Sequence, residues 1–133
     1  MLDAAVAHAG DLPLVGVTIL TSHDATALVQ VLGRGVPDLG VEVERLARVA
    51  VDAGLRGVVA SGQELGLLRA VLGPDPWIVV PGIRLPGESA GDQARTITPA
   101  DAVRLGATHL VVGRPITAAA DPAAAYGQIV GAM

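Results

Sequence analysis

The chain has no cysteine and no phenylalanine, and each of its nine basic residues is an arginine. Without cysteine there is neither a disulfide framework nor a thiolate metal site. Without lysine there is no amine to act as a proton donor of tunable pKa, because a guanidinium stays protonated up to about pH 12. A composition biased toward Ala, Gly, Val and Arg would give the same absence, with the same chemical consequence. One Trp and one Tyr are the whole aromatic complement. The core must therefore be built from Val, Leu, Ile and Ala, which suits parallel strands covered by helices. No apolar run approaches the roughly 18 residues that a membrane span needs. No basic cluster precedes an apolar segment at the N-terminus, so neither a membrane partner nor a signal peptide is expected, and a cytoplasmic location is. His8, His23 and His109 are scattered without metal-ligand spacing. A Gly-x-Gly-x-x-Gly dinucleotide fingerprint is missing. No metal and no cofactor are expected. The net charge of −4 and a pI near 5.1 argue against a nucleic-acid partner. They leave room for a small anion, which local arginines and helix N-termini decide.

What is present is apolar and regularly punctuated. The 133 residues are 51% hydrophobic, with a mean hydropathy of +0.55. That is too apolar for a disordered tail and the right size for one domain, residues 1–133. Short β-branched runs at 14–20, 57–61, 77–80 and 109–112 end at Gly, Pro or Ser and read as buried strands. Helical patterns fill the gaps. Residues 2–9 are Ala-rich. Asp24 starts a helix that Gly33 ends. Val43, Leu46, Val49, Ala50 and Ala53 share a helical face that stops at Gly54. Gln63 to Leu72 stops at Gly73-Pro74. Thr98-Pro99 and Asp121-Pro122 are caps followed by proline at the first helical position. One helix followed by four strand-helix units predicts a parallel α/β sheet. The Gly-rich stretch Gly82 to Gln93 is a long loop after the third strand, and such loops tend to be functional or mobile.

In strand-helix folds, ligands sit at the C-terminal ends of the strands. Here those ends carry Thr21-Ser22, Ser61-Gly62-Gln63, Pro81-Gly82-Ile83-Arg84 and Gly113-Arg114. Hydroxyls, an amide and two guanidinium groups on one rim suit a phosphate. Gly113 would let backbone N–H groups approach it, Arg114 would add a charge-assisted fork, and a helical turn after Pro115 would aim its dipole at the same point. Each residue alone also has a plain structural reading. Gly113 can be a turn, Arg84 a solvated charge, Gln93 a solvated loop amide, and Thr21 a helix cap. Their common position on one rim is what favours the ligand reading.

Five landmarks in order make a resemblance specific. They are Leu20-Thr21-Ser22, Pro81-Gly82-Ile83-Arg84, Gly91-Asp92-Gln93, Thr98-Pro99 and Val112-Gly113-Arg114-Pro115-Ile116-Thr117. Together they resemble bacterial orotidine 5′-phosphate decarboxylases from about Leu2 to Met133. A different phosphosugar barrel would not require the Gly-Asp-Gln loop. The resemblance implies an eight-stranded TIM (βα)8 barrel, of which this chain supplies a (βα)4 half, the fifth to eighth strands with their covering helices. It implies the reaction of orotidine 5′-phosphate to UMP and carbon dioxide in pyrimidine biosynthesis. It also implies roles by position. Thr21 meets the pyrimidine, Arg84 binds the phosphate, and Gln93 bridges phosphate and base from a loop that closes over them. Gly113 and Arg114 form the main phosphate cradle.

The departure from the family is as large as the match. The family's Lys-Asp-Lys-Asp network belongs to the other half of the barrel, and this chain has no lysine to fill it. No catalytic residue is therefore expected here, and the chain is expected to be inactive alone. Met1 falls inside what would be the helix before the fifth strand, as expected of a truncated product, an engineered half-barrel or an incomplete gene model. Four strands of a barrel leave two open edges and an uncovered apolar face. Pairing with a second copy, as a homodimer, or with the missing N-terminal half is expected.

Overall fold

The computed structural model describes residues 1–35, 38–87 and 95–133. Helix α1 (Leu2–His8) leads into strand β1 (Val15–Val17). Then come α2 (Ala25–Leu32), α3 (Leu39–Asp52), β2 (Gly57–Val59), a 3₁₀ turn (Gly62–Glu64), α4 (Leu65–Leu72) and β3 (Trp77–Val80). The chain continues with α5 (Pro99–Arg104), β4 (His109–Leu110), α6 (Arg114–Thr117) and α7 (Pro122–Gly131). The strands form one parallel sheet in the order β1-β2-β3-β4. This is a (βα)4 arrangement of the kind found in half of a TIM barrel.

Helix ends follow the local chemistry. Asp24 accepts a hydrogen bond from Ala27 N at 2.8 Å, and Gly33 closes α2 in the left-handed region at φ 64°. Thr98 accepts from Asp101 N at 3.2 Å, with Pro99 as the first helical residue. Asp121 does the same for α7 through Ala124 N at 3.0 Å. Asp38, which carries no periodicity signal, caps α3 through Gly40 N at 2.7 Å and Val41 N at 3.3 Å. β3 matches its run at 77–80, while the other three strands are shorter than their β-branched runs. β1 stops at Val17 rather than Leu20, and β2 at Val59 rather than Ser61. The reason is visible in the hydrogen bonding. Thr18 donates from both its N (3.1 Å) and its Oγ1 (2.9 Å) to Val59 O, so the chain stays beside β2 after ladder geometry has ended.

Register places alternate residues on opposite faces. Gly16, Val58 and Ile78 are aligned across three strands and face the helices. Val58, Ile78 and Val80 are fully buried there with Val43 and Ala47 of α3 and Leu65 and Leu68 of α4. Gly16 permits that contact, since a Cβ on it would lie 3.0 Å from Ala50 Cβ and 3.1 Å from Leu55 Cδ2. The other face carries Val15, Val17, Val59 and Val79 in aligned positions. It is open: Val17 is 60% exposed and Val111, past the end of β4, 51%. Burying such side chains contributes about 25 cal/mol per Å², so this apolar face is incomplete as it stands.

Arg69 fixes how the third unit is attached. Its Nε donates to Gly106 O at 2.8 Å, and its Nη1 faces the carbonyls of Gly73 (3.0 Å), Pro74 (3.2 Å) and Pro76 (2.8 Å). One side chain thereby satisfies the carbonyls at the end of α4 and of the turn after α5. Burial lowers the Arg69 pKa from its usual value. A guanidinium tolerates that without losing its proton.

Candidate functional site

The four strands deliver their C-terminal ends to one rim. After β1, Ile19 is buried and Thr21 is buried beside it, while Ser22 is exposed. After β2, Ala60 N donates to Val79 O at 3.1 Å, which holds the exit in line with β3. After β3, Gly82 turns at φ 75° and Ile83 pairs with Ile97 in an isolated parallel bridge. That bridge is closed by Arg84 N to Ile97 O (3.0 Å) and Ile97 N to Gly82 O (3.3 Å). After β4, Gly113 caps α6, accepting from Ile116 N at 2.9 Å and Thr117 N at 3.0 Å.

These ends enclose a cavity of about 310 Å³, lined by Val17, Ile19, Leu20, Thr21, Ser22, Val59, Ala60, Pro81, Gly82, Arg84, Val111, Gly113 and Arg114. Its floor is aliphatic. Its polar groups are the hydroxyls of Thr21 and Ser22 and the guanidinium groups of Arg84 and Arg114. A Cβ on Gly113 would meet nothing within 4 Å, so its backbone faces open space. Arg84 is half-buried and donates from Nη1 to Ile83 O at 2.7 Å. Two cations, two hydroxyls and an aliphatic floor suit a ligand with an anionic end and a flat, weakly polar body.

Of the residues singled out from sequence, Thr21, Arg84, Gly113 and Arg114 line this one cavity. Gln93, with Gly91 and Asp92, lies outside the described residues. Ser61 and Gln63 do not line the cavity. Ser61 is buried and caps the 3₁₀ turn through Gln63 N at 3.2 Å, and Gln63 is exposed. A rim position after a strand is not enough when the next turn needs a cap.

Periodicity gave no warning of Arg95 and Glu64. Arg95 is 5% exposed and Glu64 7%. Arg95 Nη1 donates to Glu64 Oε1 at 2.7 Å, and its Nη2 to the carbonyls of Ile19 (3.2 Å) and Leu20 (3.1 Å). Glu64 Oε2 and Arg95 Nε are buried without a hydrogen-bond partner among the described residues. Removing one member of such a pair costs about 3–5 kcal/mol, because the other charge stays buried. An arginine in a loop reads as solvated in sequence, and only the tertiary fold turns it inward.

Among the described residues, no group of three or more His, Asp or Glu is placed to hold a metal ion, and no helix is long and apolar enough to cross a membrane. Residues 1–129 match the model of the family described as "Orotidine 5'-phosphate decarboxylase / HUMPS family". The chain belongs to this family.

Similar proteins agree on that assignment. The chain is 50% identical over 134 residues to "Orotidine 5'-phosphate decarboxylase" of Anaeromyxobacter sp. (strain K), covering 100% of this chain and 58% of the relative. It is 52% identical over 124 residues to the protein of the same description from Opitutus terrae, covering 92% and 53%. Among solved structures, orotidine 5'-phosphate decarboxylase from Lactobacillus acidophilus superimposes with a TM-score of 0.74 at 37% identity, covering 90% of this chain and 48% of that one. An uncharacterized conserved protein from Geobacillus kaustophilus gives a TM-score of 0.75 at 30% identity, covering 99% and 57%. The chain thus spans about half the length of the family members it matches.

Proposed function

We propose that this chain is the C-terminal, nucleotide-holding half of an orotidine 5′-phosphate decarboxylase, the enzyme that converts orotidine 5′-phosphate to UMP and carbon dioxide in pyrimidine biosynthesis. The observation that carries the reading is the single cavity that gathers Thr21, Arg84, Gly113 and Arg114 at the ends of three different strands. In this reading Arg114 and the Gly113 backbone take the phosphate, Arg84 supports it from the neighbouring strand, and Thr21 meets the base. Gln93 bridges the two. The grip supplies binding energy remote from the reacting carbon, the kind that decarboxylation needs to be expressed at the transition state.

The chemistry itself is assigned to the half this chain does not contain. Protonating the carbon that loses carbon dioxide needs an acid whose pKa can be tuned, and the only cationic side chains here are arginines and histidines. Histidine is not placed for it: His8 and His109 are exposed, His23 lies on the α2–α3 side, and none lines the cavity. The purified chain is therefore expected to show no turnover of orotidine 5′-phosphate. Turnover by this chain alone would sink the division of labour proposed here.

One observation favours a second, compatible reading, a non-catalytic phosphate-binding half-barrel that self-assembles. The open face bearing Val15, Val17 and Val111 and the edges of β1 and β4, unpaired among the described residues, call for a cover. Either four further strand-helix units or a second copy of this chain would supply one. A cytoplasmic location accords with the pathway.

A further inference from the structure

Arg95 belongs to no strand, yet it is the point where three rim segments meet. Its backbone lies two residues before Ile97, which is hydrogen-bonded to the β3 exit at Gly82 and Arg84. Its Nη1 reaches Glu64 at the 3₁₀ turn after β2. Its Nη2 reaches the carbonyls of Ile19 and Leu20, immediately before Thr21. The guanidinium does not line the cavity, so it would act through others. A planar fork with fixed donor directions is suited to hold three acceptors in one geometry, which a lysine cannot do.

We propose that Arg95, held by Glu64, is a positioning residue that sets Thr21 at the base end of the site. It clamps the peptide carbonyls preceding Thr21 to the turn after β2. The proposal rests on the nucleotide-binding reading above and adds a specificity to it. The side-chain bonds of Arg95 end at the exits of β1 and β2, whereas Arg84, Gly113 and Arg114 reach the cavity from the ends of β3 and β4. Losing these side-chain bonds while the backbone bridge at Ile97 remains acts first on the base end. Small displacements of a site group are felt strongly in binding when the supporting contacts are lost.

The test is a pair of calorimetric titrations, one with UMP and one with ribose 5-phosphate, which keeps the phosphate and lacks the base. Two variants are compared with the parent chain. Arg95→Lys keeps the charge and loses the fork. Arg95→Met with Glu64→Gln removes both buried charges, so that neither is left unpaired. The expected result is a loss of about tenfold in UMP affinity, with ribose 5-phosphate affinity within about twofold of the parent. Equal losses for both ligands, or no loss for either, would overturn the proposal. Unfolding of both variants, seen by circular dichroism, would make Arg95 a folding element only and would overturn it as well. A parent chain that binds neither ligand would count instead against the nucleotide-binding reading itself, and the clamp would fall with it.

Discussion

Glu42 is a carboxylate buried on α3 with two arginine partners. Arg45 contacts it from one turn along, and Arg34 donates from Nη2 to both of its oxygens at 2.9 Å. These hydrogen bonds, that of Arg45 first, hold its pKa down at about 2 against an ordinary 4.5. A lowered carboxylate pKa means the folded state favours the charged form. The resulting stability is complete above the unfolded value and is lost as pH falls toward the folded one. Comparing parent and Glu42→Gln by thermal melting, the parent should be the more stable above about pH 5. The gap should close steadily between about pH 4.5 and 2. A gap that does not change with pH would mean that the arginines contribute packing rather than charge. The nine arginines divide at this scale. Arg69 and Arg95 are turned inward onto carbonyls and a carboxylate, while Arg84 and Arg114 are delivered to the cavity. Sequence shows their number and not this division, because burial of a loop arginine depends on partners far along the chain.

Element by element, the helices were the more legible part. Asp24, Thr98 and Asp121 cap their helices as the local pattern implies, and Gly33, Gly54 and Gly73 all stand at positive φ where the patterns stop. The strand ends were less legible, since a β-branched run continues past the last ladder hydrogen bond at both Val17 and Val59. Close approach between elements was not legible at all. A Cβ on Gly57 would overlap the Trp77 carbonyl oxygen of the paired strand. A backbone carbonyl in a ladder cannot rotate away as a side-chain tip can. Gly57→Ala should therefore destabilise the chain by about 3 kcal/mol, read as a lower urea midpoint with an unchanged slope. A change below about 0.5 kcal/mol, the usual range for a harmless surface substitution, would mean that β2 and β3 are not packed this closely.

As a whole molecule, the chain is one sheet covered by helices on one face, with the second face partly exposed among the described residues. The helix-side core is well filled by Val58, Ile78, Val80, Leu65 and Leu68, while Val15, Val17 and Val111 remain exposed on the opposite side. Exposed apolar surface of this kind, with two sheet edges unpaired among the described residues, favours association. Light scattering of the purified chain should give a mass of at least twice 13.3 kDa, and Val17→Arg should shift the population toward the single chain. A stable monomer at high concentration that also ignores Val17→Arg would contradict this account of the open face. The (βα)4 order was readable from the alternation of strand and helix patterns. What covers the open face was not, because a surface pattern marks where a partner binds without saying which one.

The phosphate grip is expected to survive in this half. The most direct measurement is a calorimetric titration of the purified chain with UMP, repeated with Arg114→Ala. Saturable binding by the parent is expected, weakened by about tenfold to a hundredfold in the variant, as loss of a charge-assisted hydrogen bond to phosphate requires. Binding that is equal in the two proteins, or a folded parent chain that binds no UMP, would contradict it.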